Sequence, residues 1–338
     1  MTDTRQQNNA VHECVRVAAP ARLHMGFIDL NGSGGRRFGS LGLGLAELGI
    51  ELSAKPHDTI EAEGPVAGRA CDYARQLLAY YGLDRGVRLH IQQSIPEHSG
   101  LGSGTQLALA VGTAVARLYD LPSTCEHLAG ILDRGNRSGV GIGTFVQGGF
   151  IVDAGHGNRT VAPPITSRLH FPDSWRLVLV MDPQHQGISG APERAAFDEC
   201  GPMPIEVAHA ISWLVLMQAL PAIAESDCER FGDAISRIQG FIGDYFAPVQ
   251  GGRYCSQAVA AVVGELEAAG ATGSGQSSWG PTGFAVFPSE TQAHQAIRQL
   301  SDAGRIPAAL EVQLCQGRNQ PAEIAADKPA ANRRLKGL

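Results

Sequence analysis

Residues 96–106 read PEHSGLGSGTQ, and this stretch decides the fold. It follows a β-prone run from Val87 to Ile91 and precedes apolar residues at helical spacing from Leu107 to Leu118. The glycines therefore lie where a strand passes into a helix. The first N–H groups of a helix lack internal partners and carry the positive end of its dipole, which suits a phosphate oxygen.

The small residues of this loop favour a phosphate or diphosphate site; a glycine-rich turn that only caps the helix is the alternative. Glycines let backbone amides approach an anion closely, and serine and threonine hydroxyls add donors. The predicted phosphate-binding or diphosphate-binding residues are Gly100, Leu101, Gly102, Ser103, Gly104, Thr105 and Gln106.

Two further stretches belong with the central loop, ARLHMGF at 21–27 and GSGQSSWGP at 273–281. In this order the three resemble the motifs of the superfamily that holds galactokinase, homoserine kinase, mevalonate kinase and phosphomevalonate kinase (GHMP kinases). The resemblance implies an α+β fold of two domains with the active site between them. The N-terminal domain is expected to resemble ribosomal protein S5 domain 2, and the C-terminal domain to be ferredoxin-like.

One departure argues against kinase chemistry. Mevalonate-type kinases carry an aspartate in a Ser-Gly-Ile-Asp segment, whereas residues 138–141 here read SGVG, with Gly141 in its place. Glycine has no side chain to accept a proton or position a nucleophile. Residues 274–281 also lack the run of glycines usual in these kinases. With these departures the chain resembles one subgroup, the β-ribofuranosylaminobenzene 5′-phosphate synthases of methanopterin biosynthesis, in five stretches: 21–32, 102–106, 138–145, 187–190 and 275–281.

That resemblance implies a transferase that joins phosphoribosyl diphosphate to 4-aminobenzoate, forms a carbon–carbon bond, and releases carbon dioxide and diphosphate. Two alternatives remain open from the sequence. One is a small-molecule kinase of the superfamily that uses ATP, with a substitute for the missing acid. The other is a catalytically inactive protein that senses a phosphorylated metabolite.

Length favours two domains, because 338 residues exceed the size at which a single core usually stops growing. The expected division is a disordered N-terminus over 1–14, an N-terminal domain over 15–175, a C-terminal domain over 176–316 and a flexible tail over 317–338. Glycines at 139–149 are expected to lead into a strand over Phe150 to Asp153.

Net charge and cysteine content limit which classes of partner and of site are expected. A net charge of −6 argues against nucleic acid or an anionic membrane as the main partner. Seven cysteines without a Cys-x-x-Cys favour neither a disulfide framework nor a zinc site, which predicts a cytoplasmic protein. The longest apolar run, Ala210 to Leu220, predicts a core helix stopped by Pro221. Superfamily resemblance suggests a homodimer.

Arg22 and His24 are candidate catalytic residues. They lie two apart on a predicted strand, so both side chains point to the same face. Guanidinium offers a forked donor set for phosphate or carboxylate, and imidazole can donate a hydrogen bond or move a proton. A solvated polar face on an edge strand is the alternative.

Asp29 and His185 are the other two candidate catalytic residues. Asp29 is also the candidate metal ligand, because magnesium binds through one or two carboxylates together with substrate oxygens. Its alternative is a turn-forming role ahead of Asn31-Gly32. His185 follows a predicted strand end, where ligands often bind in α/β folds.

Candidate substrate-binding residues come from the matched motifs. Trp279 could stack on a benzoate ring, with the neighbouring hydroxyls on its carboxylate; burial in the core is the alternative for the indole. The full set is Ser138, Gly139, Gly141, Thr144, Ser189, Gly275, Gln276, Ser277, Ser278 and Trp279.

Overall fold

The computed structural model describes residues 11–188 and 190–327. Its strands are β1 Cys14–Asp29, β2 Arg36–His57, β3 Ile60–Glu63, β4 Gly86–Gln93, β5 Phe150–Asp153, β6 His156–Gly157, β7 Ile165–Leu169, β8 Arg176–Met181, β9 Gly273–Gln276, β10 Gly283–Phe287, β11 Glu311–Cys315 and β12 Glu323–Asp327. Its helices are α1 Ala67–Tyr80, α2 Ser103–Leu118, α3 Cys125–Ile131, α4 Val140–Val146, α5 Ala191–Cys200, α6 Ile205–Leu214, α7 Leu220–Glu225, α8 Cys228–Gln250, α9 Gln257–Ala268 and α10 Glu290–Asp302.

The first sheet forms the N-terminal part of the molecule, with strands in the order β12-β1-β2-β4-β3. Strand β2 is long enough to pair with β4 at one end and with β5 and β6 at the other. Helix α2 packs against β1 and β2, and α1, α3 and α4 surround it. Almost every residue of α2 is therefore buried, which fixes the start of this helix relative to β1.

The second sheet has the order β11-β8-β10-β9, and all its pairs are antiparallel. The chain order is strand β8, helices, β9, β10, α10 and β11, which is the β-α-β-β-α-β arrangement of a ferredoxin-like domain. Apolar residues of α9 and α10, including Val263 and Leu300, form a core on this sheet. The expected α+β architecture is confirmed.

Helix α8 joins the two parts, because it packs on β9 of the second sheet and on β1 of the first. Ile238 of α8 and Leu23 of β1 belong to one continuous apolar core. Strand β1 thus carries Arg22 and His24 at the junction of the two sheets. Cysteines take no part in cross-linking, and all seven are free thiols.

Three expectations about local structure are wrong. The flexible tail from residue 317 is wrong over 317–327, where β12 pairs with β1 and Asn319 is buried. The disordered N-terminus over 1–14 is wrong over 11–14, where the Val11 N–H donates to the Leu118 carbonyl at 3.0 Å and β1 begins at Cys14; residues 1–10 lie outside the described residues. The apolar helix does not stop at Pro221, because a π-turn over Val215–Ala219 connects α6 to α7. Proline lies at the start of α7, where its missing N–H costs little.

The segment Ile205–Glu225 is the one helix of the described residues that is long and apolar enough to span a membrane, a test that core helices also pass. It packs on β1 and α8. Its outer face exposes three large apolar residues, Trp213, Leu216 and Met217.

Candidate active site

The glycine-rich loop reaches α2 through two left-handed residues. Gly100 has a φ of 80°, and Gly102, which precedes the first residue of α2, has a φ of 82°. A Cβ at Gly100 would lie 2.3 Å from the Ser277 carbonyl oxygen, and one at Gly102 would lie 2.7 Å from Cγ of Arg22. Both conformation and space therefore require glycine at these two positions.

Arg22 clamps this loop to β1. Its backbone N–H donates to the Leu101 carbonyl at 3.0 Å, and its guanidinium donates to the Gly100 carbonyl. Burial lowers the pKa of Arg22 to about 10, and the nearby Glu193 carboxylate opposes that shift. The side chain stays cationic at neutral pH, so it places a desolvated positive charge beside the loop.

His24 lies one step further into the molecule on the same face of β1. Only 2 % of the residue is exposed, and its Nε2 atom has no hydrogen-bond partner within the described part of the chain. Burial lowers the pKa of His24 well below its ordinary value, and Arg22 lowers it further. The ring is therefore a neutral imidazole with one free nitrogen.

A cleft of roughly 240 Å³ opens beside these residues; we call it the arginine cleft. Arg137 in this cleft forms an ion pair with Glu193 at 2.5 Å, and its guanidinium stacks 5.1 Å from the centre of the Phe197 ring. Positive charge exceeds negative charge on the lining of the cleft. Its cationic residues are Arg22, Arg134, Arg137 and Arg194, and its anionic residues are Asp133 and Glu193. Such a surface favours a polyanion.

A narrow slot of about 20 Å³ lies on the other side of His24; we call it the aromatic slot. Its rings are Phe27, Phe246 and Trp279, and the last two have centroids 4.2 Å apart. Trp279 is 5 % exposed, and its Nε1 atom has no acceptor within the described residues. The slot and the arginine cleft share three lining residues, His24, Phe27 and Ser278.

The structure brings only part of the predicted set to these two spaces. The arginine cleft is lined by Arg22, His24, Thr105, Ser138, Gly141 and Ser278, and the aromatic slot by His24, Gln276, Ser278 and Trp279.

Other predicted residues lie outside the lining and form hydrogen bonds to residues of the site or of the glycine-rich loop. The Ser277 hydroxyl is fully buried, donates to the Gly100 carbonyl at 2.8 Å and accepts from the His24 N–H at 3.0 Å. Gln106 is fully buried and donates to the Gly141 carbonyl at 2.9 Å, and Thr144 donates to the same oxygen at 3.1 Å. The remaining members lie outside the lining of both spaces: Gly100, Leu101, Gly102, Ser103, Gly104, Gly139 and Gly275.

Asp29 and His185 lie away from both spaces. The Asp29 carboxylate accepts the N–H groups of Asn31 at 2.7 Å and Gly32 at 3.0 Å, which is the turn-forming role given as its alternative. His185 is exposed in the turn after β8. Ser189 is outside the described residues.

A metal centre held by protein side chains alone has little support in the structure. Among residues 11–188 and 190–327, no group of three or more histidine, cysteine, aspartate and glutamate side chains could hold a metal ion. Glu193 is engaged by Arg137, and the carboxylate of Asp133 accepts from the side chain of Asn136 at 2.6 Å. A hard cation would fit here only with substrate oxygens as most of its ligands.

Sequence reasoning missed several lining residues. Arg134, Arg137 and Arg194 line the arginine cleft, and Phe246 and Gln250 line the aromatic slot. The spacing of the first two arginines just before the Ser138-Gly139 motif was a usable signal, since basic residues beside a matched motif are candidates for anion contact. Nothing local marks Phe246, because it lies on an ordinary amphipathic helix.

Comparison with known proteins places this geometry in a family. Residues 67–149 match the family model of the GHMP kinases N-terminal domain, and residues 219–306 match that of the GHMP kinases C-terminal domain. The fold resembles mevalonate diphosphate decarboxylase from Staphylococcus aureus with a TM-score of 0.66 at 14 % identity, covering 93 % of this chain and 98 % of that one.

Curated relatives are more specific. The β-ribofuranosylphenol 5′-phosphate synthase of Methanothermobacter thermautotrophicus is 33 % identical over 86 % of this chain and 94 % of the relative. The enzyme of the same name from Archaeoglobus fulgidus is 39 % identical over 67 % of this chain and 75 % of the relative. The chain therefore belongs to the β-ribofuranosylphenol 5′-phosphate synthase family of enzymes, within the GHMP kinase superfamily.

Proposed function

We propose that this enzyme condenses 5-phosphoribosyl 1-diphosphate with 4-aminobenzoate and releases carbon dioxide and diphosphate. The product is 4-(β-D-ribofuranosyl)aminobenzene 5′-phosphate, an intermediate of tetrahydromethanopterin biosynthesis. One observation carries the proposal: an arginine-lined cleft and an aromatic-lined slot meet at His24, Phe27 and Ser278. A polyanionic sugar and an aromatic acid bound in these two spaces would face each other at those residues.

The arginine cleft suits the phosphoribosyl donor. When the bond between C1 of the ribose and the diphosphate oxygen breaks, the electron pair leaves with diphosphate and positive charge develops on the sugar carbon. Arg22 and Arg137 line this cleft together with Thr105 in the first turn of α2, and their positive charge and hydrogen-bond donors would stabilise the leaving anion. Stabilising that anion lowers the barrier to its departure.

The aromatic slot suits the acceptor. The ring carbon that bears the carboxylate attacks C1 of the ribose, and the bond from ring to carboxylate then breaks, so that its electron pair restores aromaticity as carbon dioxide leaves. No proton is gained or lost in this sequence. Neutral His24 does not repel the positive sugar carbon, and the free Nε1 of Trp279 can donate to a carboxylate or para oxygen of the acceptor.

A second acceptor is favoured by the relatives' names, which specify a ribofuranosylphenol product. 4-Hydroxybenzoate would give that phenol by the same bond changes. The two acceptors differ only in the para substituent, so competition between them at equal concentration measures the preference directly.

The test uses carboxyl-labelled 4-aminobenzoate, phosphoribosyl diphosphate and magnesium. We expect labelled carbon dioxide and diphosphate in equal amounts, and the same assay is run with labelled 4-hydroxybenzoate. ATP turnover without carbon dioxide in a metabolite screen would instead support the kinase alternative. That alternative lacks an acid at Gly141, where an added Cβ would have atoms of Thr105 and Gln106 as its nearest neighbours.

Magnesium is part of the proposal as a partner of the diphosphate. Because the described residues offer isolated carboxylates, the ion would be held mainly by substrate oxygens, and Asp133 and Glu193 are the carboxylates that line the cleft. Bound there, it would neutralise phosphate charge. Chelation should abolish turnover, and added magnesium should restore it.

We also propose a cytoplasmic homodimer. The three exposed apolar residues on the outer face of Ile205–Glu225, Trp213, Leu216 and Met217, are spaced at helical intervals and would be covered by a second copy. Sedimentation analysis of Leu216→Asp against the unmodified protein tests this: a shift from dimer to monomer supports the face, and an unchanged dimer removes it.

A further inference from the structure

A buried carboxylate lies behind the arginine cleft and plays no part in the reaction described above. Asp153, at the end of β5, has no exposed surface. One of its oxygens accepts the Gly155 N–H at 2.8 Å, and the other accepts the Gly139 N–H at 2.9 Å. The second oxygen also accepts from the buried hydroxyl of Ser40.

A chain of hydroxyls connects this carboxylate to the cleft. The Ser40 hydroxyl contacts the Ser138 hydroxyl at 2.6 Å, and Ser138 lines the arginine cleft. The backbone N–H of Val140 donates to the same Ser138 oxygen at 3.2 Å. We call Asp153, Ser40 and Ser138 the hydroxyl relay.

Hydrogen counting fixes the direction of the relay. Burial raises the pKa of Asp153, while its hydrogen-bond donors favour the ionised form. Two backbone N–H groups already occupy lone pairs on both oxygens, so the carboxylate accepts the single hydrogen of Ser40. Ser40 then has only lone pairs to offer Ser138, and Ser138 must donate its own hydrogen inward.

The consequence lies at the cleft surface. A serine hydroxyl has one hydrogen and two lone pairs. The hydrogen of Ser138 goes to Ser40, and one lone pair receives the Val140 N–H, so one lone pair is left for the cleft. Phosphate oxygens at neutral pH are acceptors and cannot bind to a lone pair, whereas a sugar hydroxyl can donate to it.

We infer that the hydroxyl relay sets Ser138 as a hydrogen-bond acceptor for a ribose hydroxyl of the donor substrate, with Ser40 and Asp153 as positioning residues. The inference rests on the proposed function, because it takes a phosphoribosyl compound as the ligand of the arginine cleft. On this inference the arginines of the cleft bind phosphate, and Ser138 binds a hydroxyl of the sugar.

The test compares affinities by calorimetry for ribose 5-phosphate, 2-deoxyribose 5-phosphate, 3-deoxyribose 5-phosphate and inorganic diphosphate. One lost hydrogen bond corresponds to roughly a tenfold change in affinity. We therefore expect the unmodified protein to prefer ribose 5-phosphate by about tenfold over one of the deoxy compounds. Ser138→Ala should abolish that preference and leave diphosphate affinity within about twofold. Ser40→Ala, which frees the Ser138 hydrogen, should reduce the preference.

Exposed Ser301 on α10 supplies the control, since Ser301→Ala should keep the full preference. Equal discrimination in Ser138→Ala and the unmodified protein would overturn the inference, as would equal loss of diphosphate affinity, because that pattern indicates general damage to the cleft. The labelled carbon dioxide assay distinguishes a failure of the inference from a failure of the proposed function. Turnover without ribose discrimination contradicts the inference alone, whereas absence of both turnover and phosphoribosyl binding contradicts the proposed function and the inference with it.

Discussion

The arginine cleft and the aromatic slot meet at His24 but are built in opposite ways. The cleft has a volume of roughly 240 Å³ and charged walls, and the slot is a narrow space of about 20 Å³ lined in large part by aromatic rings. An anion can enter the first without rearrangement. A benzoate ring can enter the second only if side chains move apart.

The difference follows from what each wall is made of. The cleft is lined mainly by charged and small residues, among them residues 133–138 between α3 and α4, Arg22 of β1 and Thr105 of α2. The slot is lined by side chains of α8, by His24 and Phe27 of β1, and by Trp279. We therefore expect the donor to bind a preformed cleft and the acceptor to bind with movement of the side chains of the slot.

The largest effect should come from removing the positive charge of Arg22 in the arginine cleft. We expect Arg22→Gln to lower kcat/KM for phosphoribosyl diphosphate by about 10²- to 10³-fold, because a half-buried cation that lines the proposed site of the leaving group is lost. Acceptor affinity should change little. Steady-state kinetics with each substrate varied separately measure both effects.

Arg16 lies on the same strand, is exposed, and pairs with Asp327 at 2.9 Å, so Arg16→Gln is the matched control. It should leave kcat/KM near that of the unmodified enzyme. A loss below about threefold in Arg22→Gln would be incompatible with the role of Arg22 in holding the leaving anion.

A smaller effect, on the acceptor and not on phosphoribosyl diphosphate, should come from changes in the aromatic slot. Trp279→Ala removes the ring that packs 4.2 Å from Phe246, and we expect the KM for the acceptor to rise by about 10- to 100-fold. Trp279→Phe keeps an aromatic surface and loses only the N–H, so a rise of about 3- to 10-fold is expected. The KM for phosphoribosyl diphosphate should stay within about twofold in both variants.

Trp175 is buried like Trp279 but lines neither space, so Trp175→Phe is the matched control and should alter neither KM. If Trp279→Phe raised the KM for phosphoribosyl diphosphate as much as that for the acceptor, the separation between slot and cleft would be wrong.

The contrast between the two halves also explains what the sequence could predict. The strand-to-helix junction was predicted correctly, because glycine spacing and helix periodicity are local properties, and Arg22 and Thr105 of the predicted set line the cleft. The other loop residues, 100–104 and 106, lie outside its lining, so a phosphate site formed by the whole loop stays a prediction. The ferredoxin-like order of β8 to β11 came from resemblance, since periodicity alone does not specify strand order. For Trp279 the structure shows the burial given as the alternative, against Phe246 at the edge of the slot, so stacking on a benzoate ring stays a prediction.

Residues brought in from distant elements could not be predicted. Phe246 reaches the slot because α8 crosses β1, and no local pattern encodes that crossing. Asp153 appears in the sequence as the last residue of an apolar strand, and only pairing of β5 with β2 brings it to Ser40. For Asp29 the sequence left a metal-binding and a turn-forming role open, and the structure shows the turn. A carboxylate ahead of Asn-Gly can accept the backbone N–H groups of its own turn as readily as it binds a metal.

The smallest effect concerns His24, one of the three residues that line both the cleft and the slot. Burial holds the pKa of His24 well below its ordinary value, so below about pH 6.5 the unfolded chain binds more protons at this residue than the folded protein does. The free energy of unfolding should therefore fall as the pH drops below about 6.5, with His24 contributing a slope of up to about 1.4 kcal/mol per pH unit. Above that pH the contribution is constant, because the imidazole is neutral in both states. Urea unfolding of the unmodified protein and of His24→Gln between about pH 5 and about pH 7.5 measures the difference in slope. Parallel pH profiles for the two proteins would mean that His24 binds protons equally in the folded and unfolded states, which would contradict the lowered pKa argued for this buried imidazole.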